Sequence, residues 1–132
     1  MNDTPACVNE SDPFPHKAEV AAALAAGAHV RRDERELVSS SLLSTYQIRL
    51  RIAQNIEVSA DQTEQRAQAV EDLEFLISRL SQHPEATITA WYVHALNGAR
   101  YVLMEDTQSK TAIGCLSGSS NTSFKADGFA AA

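Results

Sequence analysis

The dipeptide Asn97-Gly98 divides two runs of β-branched and aromatic residues, and it constrains the fold more than any other feature of this chain. The stretch 86–116 reads ATITAWYVHALNGARYVLMEDTQSKTAIGCL. Asn-Gly tolerates the positive φ angles of a tight hairpin, and strand formers on both sides give it strands to join. A second polar segment, EDTQSK, supplies another turn. The spacing predicts a three-stranded antiparallel meander over about 86–96, 100–105 and 111–116. Three strands need cover on at least one face, so the sequence before Pro84 has to supply helices.

Three helical segments are expected, at about 16–28, 33–57 and 60–82. The first is alanine-rich, with Val20 and Leu24, and Gly27 lies near its end. The second carries two apolar stripes, Leu42, Leu43, Tyr46, Leu50 and Ala53 on one side and Leu37, Val38, Ile48, Ile52 and Ile56 across the axis. Two stripes predict burial on two sides, or a homodimer that uses one of them. Its SSSLLST segment has weak helix propensity and is expected to bend it. The third opens at Ser59 with Gln62 three residues on, a capping-box spacing, and ends before Pro84. Val70, Leu73, Ile77 and Leu80 repeat for two heptads, which suits a helical hairpin inside a domain. The reading is α+β, with two or three N-terminal helices packed on a C-terminal three-stranded antiparallel β-meander. Residues 1–15 are expected to be a flexible arm, 16–116 the domain and 117–132 a flexible tail.

With 132 residues and 44% hydrophobic composition, the chain suits one core. Its net charge of −6 opposes direct nucleic-acid binding, which needs clustered Lys and Arg, and favours a protein partner with a basic surface. No secretory leader or span of about 20 apolar residues is visible, so a cytoplasmic protein without a membrane segment is expected. Cys7 and Cys115 define no disulfide framework.

The search for chemistry gives little. Cys115, His94 and Asp106 offer the residue types of a nucleophilic site, but types without a motif favour a packing role for Cys115. The histidines and cysteines lack metal-ligand spacing, and the five glycines form no phosphate loop. No catalytic, metal or cofactor residue is assigned. The VRRDERE segment at 30–36 interleaves charges of both signs and reads as a solvated, salt-bridged helix start.

Between residues 57 and 85 the acids Glu57, Asp61, Glu64, Glu71, Asp72, Glu74 and Glu85 face only Arg66 and Arg79. Glu57, Glu64 and Glu71 are seven apart and nearly in line, and Phe75 falls on their side of the helix. The partner-binding residues expected from this pattern are Phe75, Glu64, Glu71, Asp72, Glu57 and Asp61. The bland reading puts Phe75 under the first helix or the tail and leaves the acids as a solvated rim. The functional expectation is a small acidic, non-enzymatic protein that binds a basic protein, including one that itself binds nucleic acid, as an inhibitor, immunity or antitoxin-like factor does. A structural subunit of an oligomeric, viral or secretion assembly competes with it, using Phe14, Phe124 and Phe129 as assembly anchors. A small Cys/His enzyme is third.

Overall fold

The computed structural model describes residues 4–9 and 12–118 and shows an α+β fold. In chain order it holds α1 (Lys17–Ala25), β1 (His29–Val38), α2 (Ser39–Asn55), α3 (Thr63–Gln82), β2 (Thr87–His94), β3 (Arg100–Asp106) and β4 (Ala112–Ser117). The four strands neighbour one another in chain order, every pair antiparallel.

The expected meander forms. Gly98 takes φ +93 in a loop closed by Ala95 and Ala99, with the Asn97 side chain accepting from the Ala99 N–H. That is the three-residue hairpin connection, one residue longer than the tightest form. The second turn also forms, its Lys110 N–H donating to the Asp106 carbonyl.

A fourth strand corrects the expectation for residues 29–38, and it means that the helices do not all precede the sheet. The segment expected to start a helix at 33 pairs with β2 from His29↔His94 to Val38↔Thr87. Its charges pair two residues apart, as strand neighbours do. The Arg35 backbone N–H and guanidinium both donate to Asp33, and the Tyr92 hydroxyl donates to Asp33 from the next strand at 2.9 Å. Helical i,i+4 pairs contribute only about 0.2–0.5 kcal/mol each, which a ladder of backbone bonds outweighs. Charge and a register shift between Arg32 and Glu36 also blunt β1 as an edge strand.

Helix α2 therefore starts at Ser39, and SSSLLST begins it rather than bending it. The Ser39 N–H donates to the Ala86 carbonyl and its hydroxyl to the Leu80 carbonyl, tying the start of α2 to the end of α3. Only the first of the two expected stripes joins the core, Ile52 and Ile56 of the second being half-buried outside it. Leu42, Leu43, Tyr46, Leu50 and Ala53 pack inward, whereas Ile48 stays exposed and Leu37 and Val38 lie on β1. Ser59 precedes a short 3-10 turn at Ala60–Gln62, and α3 begins only at Thr63.

The sheet has a core on each face. Alternation along β2 and β3 sends Trp91, Val93, Tyr101 and Leu103 to one side, where they meet Cys7, Phe14, Val20 and Ala23 from the N-terminal stretch and α1. Ile88, Met104 and Leu116 pack with Leu73, Leu76, Leu80 and Ala53 from the α2–α3 hairpin. Helix α3 lies along β4 so closely that a Cβ at Gly114 would stand 2.8 Å from Leu76 Cδ1 and 3.2 Å from Leu76 Cα. No helix of the described residues is long and apolar enough to cross a membrane.

Candidate functional site

The acid-rich helix and the first helix meet over a polar cleft. Asp72 stands beside Leu73 on α3 and is completely buried. A buried carboxylate needs partners, and both its oxygens have one. Oδ1 accepts from Gln68 Nε2, one helical turn earlier, at 2.8 Å, and Oδ2 lies 2.8 Å from His16 Nε2. His16 immediately precedes α1 and adopts φ 67, ψ 12, a left-handed conformation that a non-glycine residue rarely takes.

The other ring nitrogen of His16, Nδ1, faces Glu19 Oε2 at 3.6 Å, and the Tyr101 hydroxyl donates to the same oxygen at 3.5 Å. The imidazole and Tyr101 rings lie 5.7 Å apart between centroids. The hydrogen bond to Asp72 raises the His16 pKa above its ordinary 6.5, against the lowering effect of burial, and the charges of Asp72 and Glu19 add to the rise. A carboxylate at each nitrogen favours the imidazolium, whose two N–H groups both donate. The Asp72–His16–Glu19 row therefore runs from a fully buried carboxylate to a solvent-exposed one, with the imidazole between them favoured in its charged form.

In front of this row opens a cleft of about 570 Å³, bordered by Glu19 on α1, Glu64 and Gln65 on α3, and Arg100 and Tyr101 on β3. Of the residues expected to bind a partner, Glu64 borders the cleft, and Glu57, Asp61 and Glu71 are exposed. Asp72 is turned inward instead, because α3 places it on the flank that meets α1. Phe75 is half-buried, packed against the core under α1, with the Arg79 guanidinium 5.0 Å from its ring centroid. The ring is thus partly sealed by its own fold.

The ridge itself is uncompensated. Arg66 turns to the Ile56 carbonyl and Arg79 to the Ala112 carbonyl. Among the described residues, no Lys, Arg or His forms an ion pair with Glu57, Glu64, Glu71 or Glu74.

Phe14, expected as an assembly anchor, is buried in this chain's own core, while Phe124 and Phe129 lie outside the described residues. Cys115, His94 and Asp106 do not converge. Cys115 faces the α1 side, paired with Leu103, whereas the His94 and Asp106 positions point to the opposite side of the sheet. Burial also pushes the Cys115 thiol well up, away from nucleophilic thiolate. No group of three His, Cys, Asp or Glu side chains that could hold a metal ion occurs among the described residues.

Sequence reasoning missed His16, Glu19, Gln68 and Tyr101. One signal was readable: Asp72 adjoins Leu73 and stands four residues before Leu76, so an acid flanks the apolar stripe and calls for a buried partner. Nothing in the sequence identified that partner as a histidine 56 positions earlier. No family model, no curated protein and no solved structure matches this chain.

Proposed function

We propose that this is a non-enzymatic acidic binding protein that docks a basic protein on the outward side of α3 and in the cleft at its start. One observation carries the reading: the exposed acids of α3 form no ion pair within the described residues, and both arginines of the same stretch donate to backbone carbonyls instead. A fold gains nothing from like charges held side by side in water, and an oppositely charged partner relieves them.

Surface attraction alone is weak, on the order of 1 kcal/mol per pair in water, so it steers encounter more than it fixes affinity. The cleft adds selectivity. A lysine or arginine of the partner that enters it meets Glu19 and Glu64 with less water between, and Arg100 turns the cation towards the α1 and α3 walls. An inhibitor, immunity or antitoxin-like factor acting on a nucleic-acid-binding protein has this character, since a row of carboxylates offers a basic groove the same sign of charge as phosphate. Two buried, unbridged cysteines fit a cytoplasmic setting.

Affinity capture from the native host with the full chain, read by mass spectrometry, tests the proposal against the double variant Glu64→Lys/Glu71→Lys. The wild type should enrich a basic protein at low salt and lose it as salt rises, and the variant, melting at the same temperature, should lose at least tenfold of that enrichment. Equal enrichment by the variant would refute the assignment.

A further inference from the structure

The other face of the sheet carries a second concavity, independent of the acidic ridge. Helix α2 leans on α3 and leaves part of β1 and β2 open, so that a groove of about 400 Å³ remains between α2 and the sheet. Its floor is Ile88, Ala90, Val102 and Met104, and Leu42 and Tyr46 form the α2 wall. Ala90 lies opposite Met104 in the ladder, and its small side chain is what makes the hollow. Leu37, 41% exposed, continues the apolar surface to the groove's end. Small-molecule sites have this size and lining, about 300–1,000 Å³ with a few polar groups at the edge.

Those polar groups run against the sign of the chain. Arg35 and Arg49 border the groove together with Asp33, and Arg31 stands 4.4 Å from the ring centroid of Tyr92, itself a lining residue. Arg49 is placed over Tyr46, 5.0 Å from its centroid. In a protein of net charge −6, Arg35 offsets Asp33 by pairing with it, and Arg31 and Arg49 leave this rim locally positive. Asp33 is held by Arg35 and Tyr92, which keep its pKa down at about 2, and Tyr92, pushed up to about 12 by burial and by Asp33, stays a neutral donor. The rim therefore keeps its sign across the ordinary pH range.

We infer that this groove binds a single-chain amphiphile with a carboxylate head, its tail over Ala90 and Val102 and its head at the rim arginines. Apolar floor and cationic rim recognise the two ends of such a molecule, and neither a neutral nor a cationic amphiphile satisfies both. Arginine is suited to the head because its planar fork meets a carboxylate through two parallel hydrogen bonds.

The test titrates the full chain with decanoate below its micellar concentration, with decanol and decylammonium as neutral and cationic counterparts. Calorimetry gives affinity, and methyl NMR gives location. Decanoate should bind most tightly, shifting the Ala90, Val102 and Met104 methyl signals. Arg49→Gln should weaken decanoate about fivefold to tenfold while leaving decanol unchanged, the loss expected for one charge-assisted contact, and Arg35→Gln, which also leaves Asp33 at the rim without its ion pair, should weaken it at least as much. Ala90→Phe, which fills the hollow, should abolish binding. If that variant does not fold, Ala90→Val serves, with a loss of at least threefold. Equal affinity for the three head groups, shifts elsewhere on the protein, or no saturable binding of decanoate would each overturn the inference.

Discussion

The two faces of the sheet are closed by different means. On one, leucines of the α2–α3 hairpin meet Ile88, Met104 and Leu116, and long aliphatic side chains make most of the contact. On the other, Phe14 supplies one large side chain, but the helix that covers it is short and alanine-rich, with Val20 and Ala23 its buried positions. At about 25 cal/mol per Å² of apolar surface, alanines contribute little, and the ordering of the N-terminal stretch needs directional bonds as well. Glu105 supplies them. It is 1% exposed, and its carboxylate accepts from the Ala6 N–H at 3.0 Å, the Cys7 N–H at 2.9 Å and Trp91 Nε1 at 3.0 Å. His16 and Asp72 make the second fastening. The consequences reach the surface: the fastened side ends in a polar cleft, and the packed side ends in an apolar groove.

The largest expected effect breaks that fastening. Glu105→Ala leaves three donors without their acceptor in or near the core, which should cost on the order of 3–5 kcal/mol in urea unfolding. It should also speed amide exchange at Cys7 before the leucine core opens. A cost under about 1 kcal/mol would show that apolar contact alone seats the N-terminal stretch, and the contrast between the faces would disappear. On the packed side the corresponding lesion is one of crowding. Gly114→Ala drives a Cβ to 2.8 Å from Leu76 Cδ1, and although that methyl can turn aside, the Leu76 Cα at 3.2 Å cannot. Overpacking of this kind costs about 1–3 kcal/mol, which thermal or urea denaturation will measure. The N-terminal bonds should be untouched, with Cys7 exchange slowed as in the wild type relative to global opening.

The packed side was the legible one. The stripes of Leu42, Leu43, Tyr46, Leu50 and Ala53 and of Val70, Leu73 and Leu80 lie in one cluster, with Leu76 rather than the expected Ile77 among them, and Asn97-Gly98 turns the hairpin where its conformational preference requires. The fourth strand was hidden because β1 buries almost nothing: Val30 is only half-buried, and the alternating charges carry no period of two in hydrophobicity. Its order comes from the backbone of β2, which no local pattern reports. The site was legible in part. The excess of acid on α3 is a sum over residue types and can be read from a sequence, and Glu64 does border the cleft. That Asp72 turns inward while Glu71 turns out depends on where α1 docks, a contact between positions 56 apart.

The smallest expected effect concerns the second fastening, and its sign is fixed by the groups around it. His16 faces Asp72 and Gln68 from α3, Glu19 on its own helix and Tyr101 from β3, with Cys115 on β4 close enough to feel both carboxylates. Tyr101 and Cys115 have pKa values raised by burial, so both stay neutral from pH 5.5 to 8.5 and add no slope. The folded state raises the His16 pKa above 6.5, so it binds the proton more tightly than the unfolded chain does. The stabilisation is therefore complete below about pH 6.5 and is lost as pH rises through the folded pKa. Melting curves of the wild type and His16→Gln across that range should converge towards the alkaline end, with the wild type ahead at the acid end. His29, His83 and His94 are exposed and untouched by the substitution. A wild-type advantage that grows with pH would mean that a neutral imidazole makes the contact, and one that stays flat would mean that backbone packing alone holds His16 in its left-handed turn.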